Sequence, residues 1–256
     1  MTVFDLYAAY YDLLYKDKDY SAEAQYVTSL IRGARPAANT ILELGSGTGA
    51  HAQLLATAGF SIVGVDISRP MVERALERRR TWSPLIQSRT SFAEGDIRAH
   101  RAGLHFDAVI SLFHVMSYQT TNADQDAAFA TARAHLDTSG IFIFDFWYGP
   151  AVLSDRPRNV VKEVSDDRIA VRRRTTPTMY VNDNCVDVRF DVDILSRADA
   201  RAERLTEVHR LRYLFLPEIL NRLAGNGMSL LKAEAWSTRE PLSDRSWYGC
   251  VIATVD

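Results

Sequence analysis

Cysteine is scarce: only Cys185 and Cys250 occur, far apart and outside any CxxC or Cys/His ligand spacing. That excludes a disulfide framework and a structural zinc site, and it fits a reducing, cytoplasmic setting. Long apolar runs are missing as well; the longest are strand-length pieces such as Ile141–Phe144, where a membrane-crossing helix takes roughly 18 residues. Nor is there an excess of one charge, since 30 Lys and Arg stand against 32 Asp and Glu, a formal net charge of −2. Nothing therefore draws the chain as a whole toward nucleic acid, and no membrane partner is expected. The first residues, MTVFDLYAAYYDLLYKDKDY, lack the basic start and apolar stretch of an export signal. No internal repeat or low-complexity linker stands out.

What is present is ordinary globular material, 47% hydrophobic and 24% charged over 256 residues, enough for one large α/β domain carrying an insertion. From Thr40 onward a short apolar run, a turn and a helical segment alternate, which predicts parallel strands with crossover helices. The strands fall at Thr40–Leu44, Ser61–Val65, Thr90–Glu94, Phe106–Leu112 and Ile141–Phe144. Helices are expected at Ser21–Arg32, His51–Ala58, Pro70–Arg80 and Asp124–Leu136, with Pro70 suited to a first turn. After Pro150 the character changes: Val160–Val164, Arg168–Thr175 and Cys185–Leu195 are alternating, β-branched segments with Asp/Asn-rich turns, the signature of an antiparallel insertion. Glu203–Phe215 adds a further strand, Pro217–Leu223 a helix, and Met228–Ala235 and Ser246–Thr254 two closing strands. The expected division is a lid and cofactor-binding core at 1–150, a β insertion at 151–215, and the rest of the core sheet at 216–256.

Ile41-Leu42-Glu43-Leu44-Gly45-Ser46-Gly47-Thr48-Gly49 is an apolar strand running through glycines into a helix, where missing Cβ atoms let the backbone bend and approach a ligand. Gly45, Gly47 and Ala50 also read as GxGxxA, with Asp66 about 20 residues on at a strand end, the dinucleotide fingerprint. An NAD(P)-dependent oxidoreductase and a nucleoside-binding module without catalysis thus stay open beside other nucleoside-binding enzymes. In each reading Asp66 is placed to accept both hydroxyl hydrogens of a ribose, against a plain helix-entry role before Ser68-Arg69-Pro70. Asp96, in Ala93-Glu94-Gly95-Asp96-Ile97, is placed to accept from an adenine amine while Ile97 packs on the ring. Glu43 either fixes the loop through backbone N–H groups or lies near the ligand's cationic end.

Together Glu43-Leu44-Gly45-Ser46-Gly47-Thr48-Gly49, Val65-Asp66, Glu94-Gly95-Asp96 and Phe106-Asp107-Ala108-Val109-Ile110 resemble, in order and separation, the motifs of class I S-adenosylmethionine-dependent methyltransferases. The resemblance covers about residues 1–150. It implies a Rossmann-like, mostly parallel seven-stranded sheet with its last strand antiparallel, helices on both faces, and S-adenosylmethionine as cofactor. It also implies that Gly45, Gly47 and Gly49 hold the aminoacyl part, Asp66 the ribose and Asp96 the adenine, with Glu43, Ile67, Ile97 and Ser111 as further cofactor contacts. No metal is implied.

The segment Leu6-Tyr7-Ala8-Ala9-Tyr10-Tyr11-Asp12-Leu13-Leu14-Tyr15 looks like the lid of small-molecule methyltransferases, most closely the nucleotide-sugar N,N-dimethyltransferases. That implies Tyr11 and Tyr15 facing cofactor and acceptor, and a nucleotide-linked amino sugar as one acceptor; an amphipathic helix face is the alternative. In Ser111-Leu112-Phe113-His114-Val115-Met116-Ser117-Tyr118, Tyr118 falls where the sugar enzymes carry a histidine, and His114 is a candidate general base. Tyr11, His114 and Tyr118 are the catalytic candidates. The aromatics of Asp145-Phe146-Trp147-Tyr148 serve either as pocket floor or as hinge packing. Arg172-Arg173-Arg174 reads as a solvated strand face in preference to a phosphate clamp. Glu207, His209, Arg210 and Arg212 form a mixed polar strand without assigned roles. The insertion is left as a lid, a homodimer surface or both, and no NPPY-type tetrad follows the fourth strand, so nucleic acid is not expected as the acceptor.

Overall fold

The structure, a computed structural model, describes residues 10–198 and 201–255. Its core is a seven-stranded sheet of β1 (Thr40–Leu44), β2 (Ser61–Asp66), β3 (Thr90–Glu94), β4 (Phe106–Ser111), β5 (Leu136–Trp147), β10 (Met228–Ala235) and β11 (Tyr248–Val255), in the order β10-β11-β5-β4-β1-β2-β3. β3, β2, β1, β4 and β5 pair in parallel, and β11 runs antiparallel to both β5 and β10. The direction of travel across the sheet reverses between β1 and β4, so a crevice opens at the carboxyl ends of these two strands.

Strand alternation assigns the two faces. Leu42, Leu44 and Val109 point into one core layer with Ala128, Phe129 and Ala132 of α5 (Asn122–Ala134) and with Ile219 and Leu223 of α7 (Leu216–Gly225). Ile41, Ala108 and Ile110 point into the other, against α1 (Tyr20–Ala34) and α2 (Ala50–Thr57). Both faces being covered is what a mostly parallel sheet requires. α3 (Arg69–Arg80) starts at the expected Pro70 signal, with Ser68 as its cap. Two short helices lay outside the periodic pattern, α4 (Pro84–Ser88) and α6 (Gly149–Ser154); each is too short to show a 3.6-residue period. β5 runs five residues further toward the amino terminus than its apolar run, because Leu136 pairs with Phe106.

The antiparallel insertion is a separate four-stranded sheet of β6 (Val160–Ser165), β7 (Ile169–Tyr180), β8 (Cys185–Ser196) and β9 (Ala202–Arg212), paired in sequence order. Val171, Val186, Val188, Val192 and Leu211 pack beneath it in a third cluster that also takes Tyr10 and Leu14. The insertion and the amino-terminal segment thus share one core above the crevice. No helix among the described residues is long and apolar enough to cross a membrane.

Candidate active site

β1 ends into a bend where Gly45, Gly47 and Gly49 have φ of 81°, 53° and 76°, the left-handed region that side chains disfavour. A Cβ on Gly45 would lie 2.5 Å from Val115 Cγ2. The Gly45 and Ser46 N–H groups donate to the Val65 carbonyl at 2.7 and 3.0 Å, which ties the bend to β2. Gly45 and Gly47 line a cleft of about 800 Å³, and Gly49 does not. Gly49 instead caps α2 and packs where a Cβ would meet Phe92 at 2.8 Å.

Asp66, at the end of β2, accepts from the Gly47 N–H at 2.8 Å and from the Ser68 N–H at 2.9 Å. The helix-entry role and a cleft-facing role coincide, because each carboxylate oxygen keeps a further lone pair. Burial raises its carboxyl pKa, opposed by those two amides. Ile67, Asp96 and Ile97 also reach the cleft. Asp96 is gripped by Arg98, whose Nε lies 2.9 and 3.0 Å from its two oxygens, and Arg98 in turn holds Asp124. Glu43 is 1% exposed and sits behind the bend, outside the cleft wall; its Oε2 has no hydrogen-bond partner among the described residues. Burial, with the nearby charge of Asp66, pushes its carboxyl up to about 8. Ser111 is likewise inside the sheet, donating to the Leu44 carbonyl at 3.1 Å, so it clips β4 to β1.

The lid candidates Tyr11 and Tyr15 both line the cleft, their ring centroids 4.8 Å apart, and Tyr15 meets Phe113 edge-on at 5.0 Å. Burial, then neighbouring Tyr20, raises the Tyr11 phenol well above its ordinary value. Residues 6–9 of the tyrosine-rich stretch lie outside the described residues. Asp12 fastens this segment below, accepting from Thr48 Oγ1 at 2.9 Å and from Arg78 Nη1 at 3.1 Å.

Also on the cleft wall, Phe113 and His114 both have φ of 64°, a strained pair of the kind that concentrates at functional sites. Both Asp145 oxygens accept from the His114 N–H at 3.1 Å, and Asp145 Oδ2 is 2.5 Å from the ring Nδ1. The other face of the dyad is Tyr248, stacked on the imidazole at 4.5 Å. Tyr118, closing the 3-10 turn Val115–Tyr118, meets His209 of β9, with the phenol oxygen 3.0 Å from Nδ1.

The arginine triplet divides. Arg172 and Arg174 are solvated, paired with Glu163 and Asp193, as a solvated face requires. Arg173 departs from that expectation: it turns inward, its guanidinium 4.3 Å over Phe190, and lines the cleft with Thr175. The inner face of β7 covers the crevice, so alternation puts one arginine of three into it. The Asp145–Tyr148 aromatics divide the same way, Trp147 lining the cleft and Phe146 filling the core. Tyr20, Phe113, Trp247 and Tyr248 also line the site; Tyr248 opens the last strand and Trp247 precedes it, and no local motif links them to residues more than 90 positions earlier.

Residues 41–140 match the family model described as a methyltransferase domain. The dTDP-3-amino-3,4,6-trideoxy-alpha-D-glucopyranose N,N-dimethyltransferase of Streptomyces venezuelae is 31% identical over 151 residues, covering 58% of this chain and 60% of that protein. The dTDP-3-amino-3,6-dideoxy-alpha-D-glucopyranose N,N-dimethyltransferase of Streptomyces fradiae is 31% identical over 56% of this chain and 54% of its own. The sequence match thus spans little more than half of these curated relatives. The likeness in three dimensions is longer: CalS10, an S-adenosylmethionine-bound amino pentose methyltransferase from Micromonospora echinaspora, is 25% identical, with a TM-score of 0.76 over 98% of this chain and 97% of that one. Streptomyces venezuelae DesVI, 23% identical, shares the fold at a TM-score of 0.81 over 98% of both chains.

Proposed function

We propose that this chain, whose residues 41–140 match a methyltransferase domain, is a class I S-adenosylmethionine-dependent methyltransferase that transfers a methyl group to nitrogen or oxygen of a small polar acceptor, a nucleotide-linked amino sugar being the favoured class. The observation that carries this reading is the cleft itself: one continuous wall takes in the bent backbone and Asp66, His114, Tyr118, Trp147 and Arg173, and the lid residues Tyr11 and Tyr15. A nucleoside and a methyl acceptor would thus share one cavity.

The residues fit the cofactor. The Gly45 cradle has no room for a Cβ, Asp66 retains acceptor capacity for ribose hydroxyls, and Asp96 and Ile97 line the adenine side. Bound S-adenosylmethionine supplies an electrophilic methyl group and a neutral leaving group, which leaves alignment and water exclusion as the protein's main tasks. Tyr11 and Tyr15 present π faces and phenol oxygens that tolerate a cationic centre without neutralising it. His114, held at its backbone N–H by Asp145 with the carboxylate close to its ring, orients the acceptor's nucleophilic atom. Tyr118 takes the hydrogen bond from that atom on the opposite side. Arg173, on the insertion, offers a cation to an acceptor phosphate. A 1–150 core with lid, a 151–215 roof and a 216–256 closing segment is the division of labour this implies.

Calorimetry with S-adenosylhomocysteine, and mass spectrometry of dTDP-linked 3-amino-3,4,6-trideoxyglucose incubated with S-adenosylmethionine, test the reading. Saturable binding and a methylated sugar are expected. Saturable NADH binding with none of S-adenosylhomocysteine would overturn it, and cofactor binding without transfer to a broad acceptor panel would reduce it to a nucleoside-binding module.

A further inference from the structure

β9 carries an anomaly for a strand that roofs a cleft. Its inward positions are Glu207, His209 and Leu211, and Glu207 and His209 are 4% and 1% exposed. Two buried titratable side chains stand where two valines would pack without a desolvation cost, and such groups persist when they are hydrogen-bonded to a purpose. Their contacts form a line. Tyr118 Oη lies 3.0 Å from His209 Nδ1, His209 Nε2 lies 3.4 Å from Glu207 Oε2, and Tyr10 donates to that same Oε2 at 2.7 Å. Tyr118 and His209 both reach the cleft surface, and Glu207 does not.

We propose that Tyr118, His209 and Glu207 form a proton relay, by which the methyl acceptor loses its proton into the wall built by the insertion. The proposal rests on the methyl-transfer reading above. The phenol proton, donated to Nδ1, fixes the His209 tautomer with its hydrogen on Nε2, facing Glu207. As the acceptor's N–H proton passes to Tyr118 Oη, the phenol proton passes to His209 Nδ1. The nitrogen keeps the electron pair with which it bonds to the methyl carbon. His209 becomes an imidazolium, offset by the Glu207 carboxylate, and releases its proton to solvent after product leaves.

The surroundings suit this order of events. Burial first, then the charges of Tyr15 and Glu207, raise the Tyr118 phenol far above its ordinary value, opposed by Arg173, so a standing tyrosinate is disfavoured and concerted hand-over to His209 is the accessible route. The charged and titratable groups around the relay come from four elements: Glu207 on β9, Arg173 on β7 above Phe190, Asp66 at the end of β2, and Tyr10, Tyr11 and Tyr15 on the amino-terminal segment. The Phe190 ring, 4.9 Å from the imidazole, walls off the remaining side. The relay also supplies what Tyr118 alone lacks: a histidine serves the acceptor after all, brought in from β9, 91 residues away.

The test uses the full chain saturated with S-adenosylhomocysteine, nitrogen-15 labelled at histidine, with Tyr118→Phe, His209→Gln and Glu207→Gln variants. The expected imidazole spectrum at about pH 8 shows His209, assigned by its loss in His209→Gln, protonated at Nε2 and bare at Nδ1, with the Nδ1 signal displaced in Tyr118→Phe. An Nδ1-protonated His209, or one indifferent to Tyr118→Phe, overturns the relay, and this readout does not depend on the acceptor used. In turnover of the dTDP-linked amino sugar, His209→Gln is expected to lower kcat about 100-fold with KM little changed. Glu207→Gln moves the acid limb of the pH profile to lower pH, because the imidazolium loses its counter-charge. Unchanged kcat and pH profile in both overturn the proposal. Wild-type protein that binds no S-adenosylhomocysteine instead defeats the methyltransferase reading, which separates the two failures.

Discussion

The carboxylate of Asp12 accepts a hydrogen bond from the Thr48 hydroxyl at 2.9 Å. The segment carrying Tyr11 and Tyr15 is thereby pinned to the last turn of the glycine bend, and Arg78, 3.0 Å from the same hydroxyl, completes the knot. The tyrosines that cover the cleft are positioned by the same residues that shape its floor.

Asp12→Ala should therefore loosen the cover without unfolding the chain. Half-exposed ion pairs contribute about 0–1 kcal/mol, so S-adenosylhomocysteine should dissociate roughly two- to fivefold faster in stopped-flow fluorescence. An unaltered rate would show that the knot does not govern exit.

Asp66→Ala removes the acceptor for the Gly47 and Ser68 amides as well as the proposed ribose contact. Affinity for S-adenosylhomocysteine is expected to fall by about 1.5–3 kcal/mol, or roughly 10- to 150-fold, with the far-ultraviolet dichroism retained. Unchanged affinity in calorimetry removes Asp66 from the site.

Gly45→Ala places a methyl group 2.5 Å from Val115 Cγ2 at a φ of 81°. Strain of about 1–3 kcal/mol should lower the melting temperature by several degrees and weaken cofactor binding. The double variant Gly45→Ala/Val115→Ala should recover only the steric part, since the left-handed backbone remains; full recovery in calorimetric melting would show that space, and not φ, selects glycine here.

Glu43 gives a pH dependence of definite sign. Its folded carboxyl, at about 8, lies above the ordinary value of 4.5, so the native protein binds the extra proton. Stability from this group is intact below about 4.5 and declines as pH rises toward 8. Glu43→Gln should flatten that decline in the ligand-free protein, by up to about 3–5 kcal/mol at alkaline pH. A melting profile parallel to wild type between pH 5 and 9 would contradict the buried-acid account.

Asp145→Asn keeps one acceptor for the His114 N–H but removes the charge beside the ring. If His114 orients the acceptor, KM for the amino sugar should rise about tenfold with kcat changed less; a fall in kcat alone would move His114 into the proton path.

The parallel core was legible because its strands, apart from the more polar Thr90–Glu94, are largely apolar runs with a turn signal at the carboxyl end, and the proposed ligand-binding positions lie in those turns. Gly45, Gly47, Asp66, Ile67, Asp96 and Ile97 are close in sequence to the strand ends that place them, so local pattern located them. Glu43, Gly49 and Ser111 sit on the same elements but face the interior, a difference of one or two residues that depends on strand orientation. The acceptor half was less legible. His209 and Arg173 reach the cleft only because β9 and β7 fold over it, and Tyr248 only because β11 returns beside β5. Such pairings over 90 residues or more leave no local trace in one sequence.

Tyr10, one residue ahead of the lid tyrosine, donates to Glu207 on the roof, and Leu14 lies in the same apolar cluster as Val186 and Leu211. Cover and canopy are in this way packed as one piece over the sheet. Any displacement of the amino-terminal segment from the cleft must therefore break the Tyr10–Glu207 hydrogen bond and expose the apolar cluster it shares with the insertion.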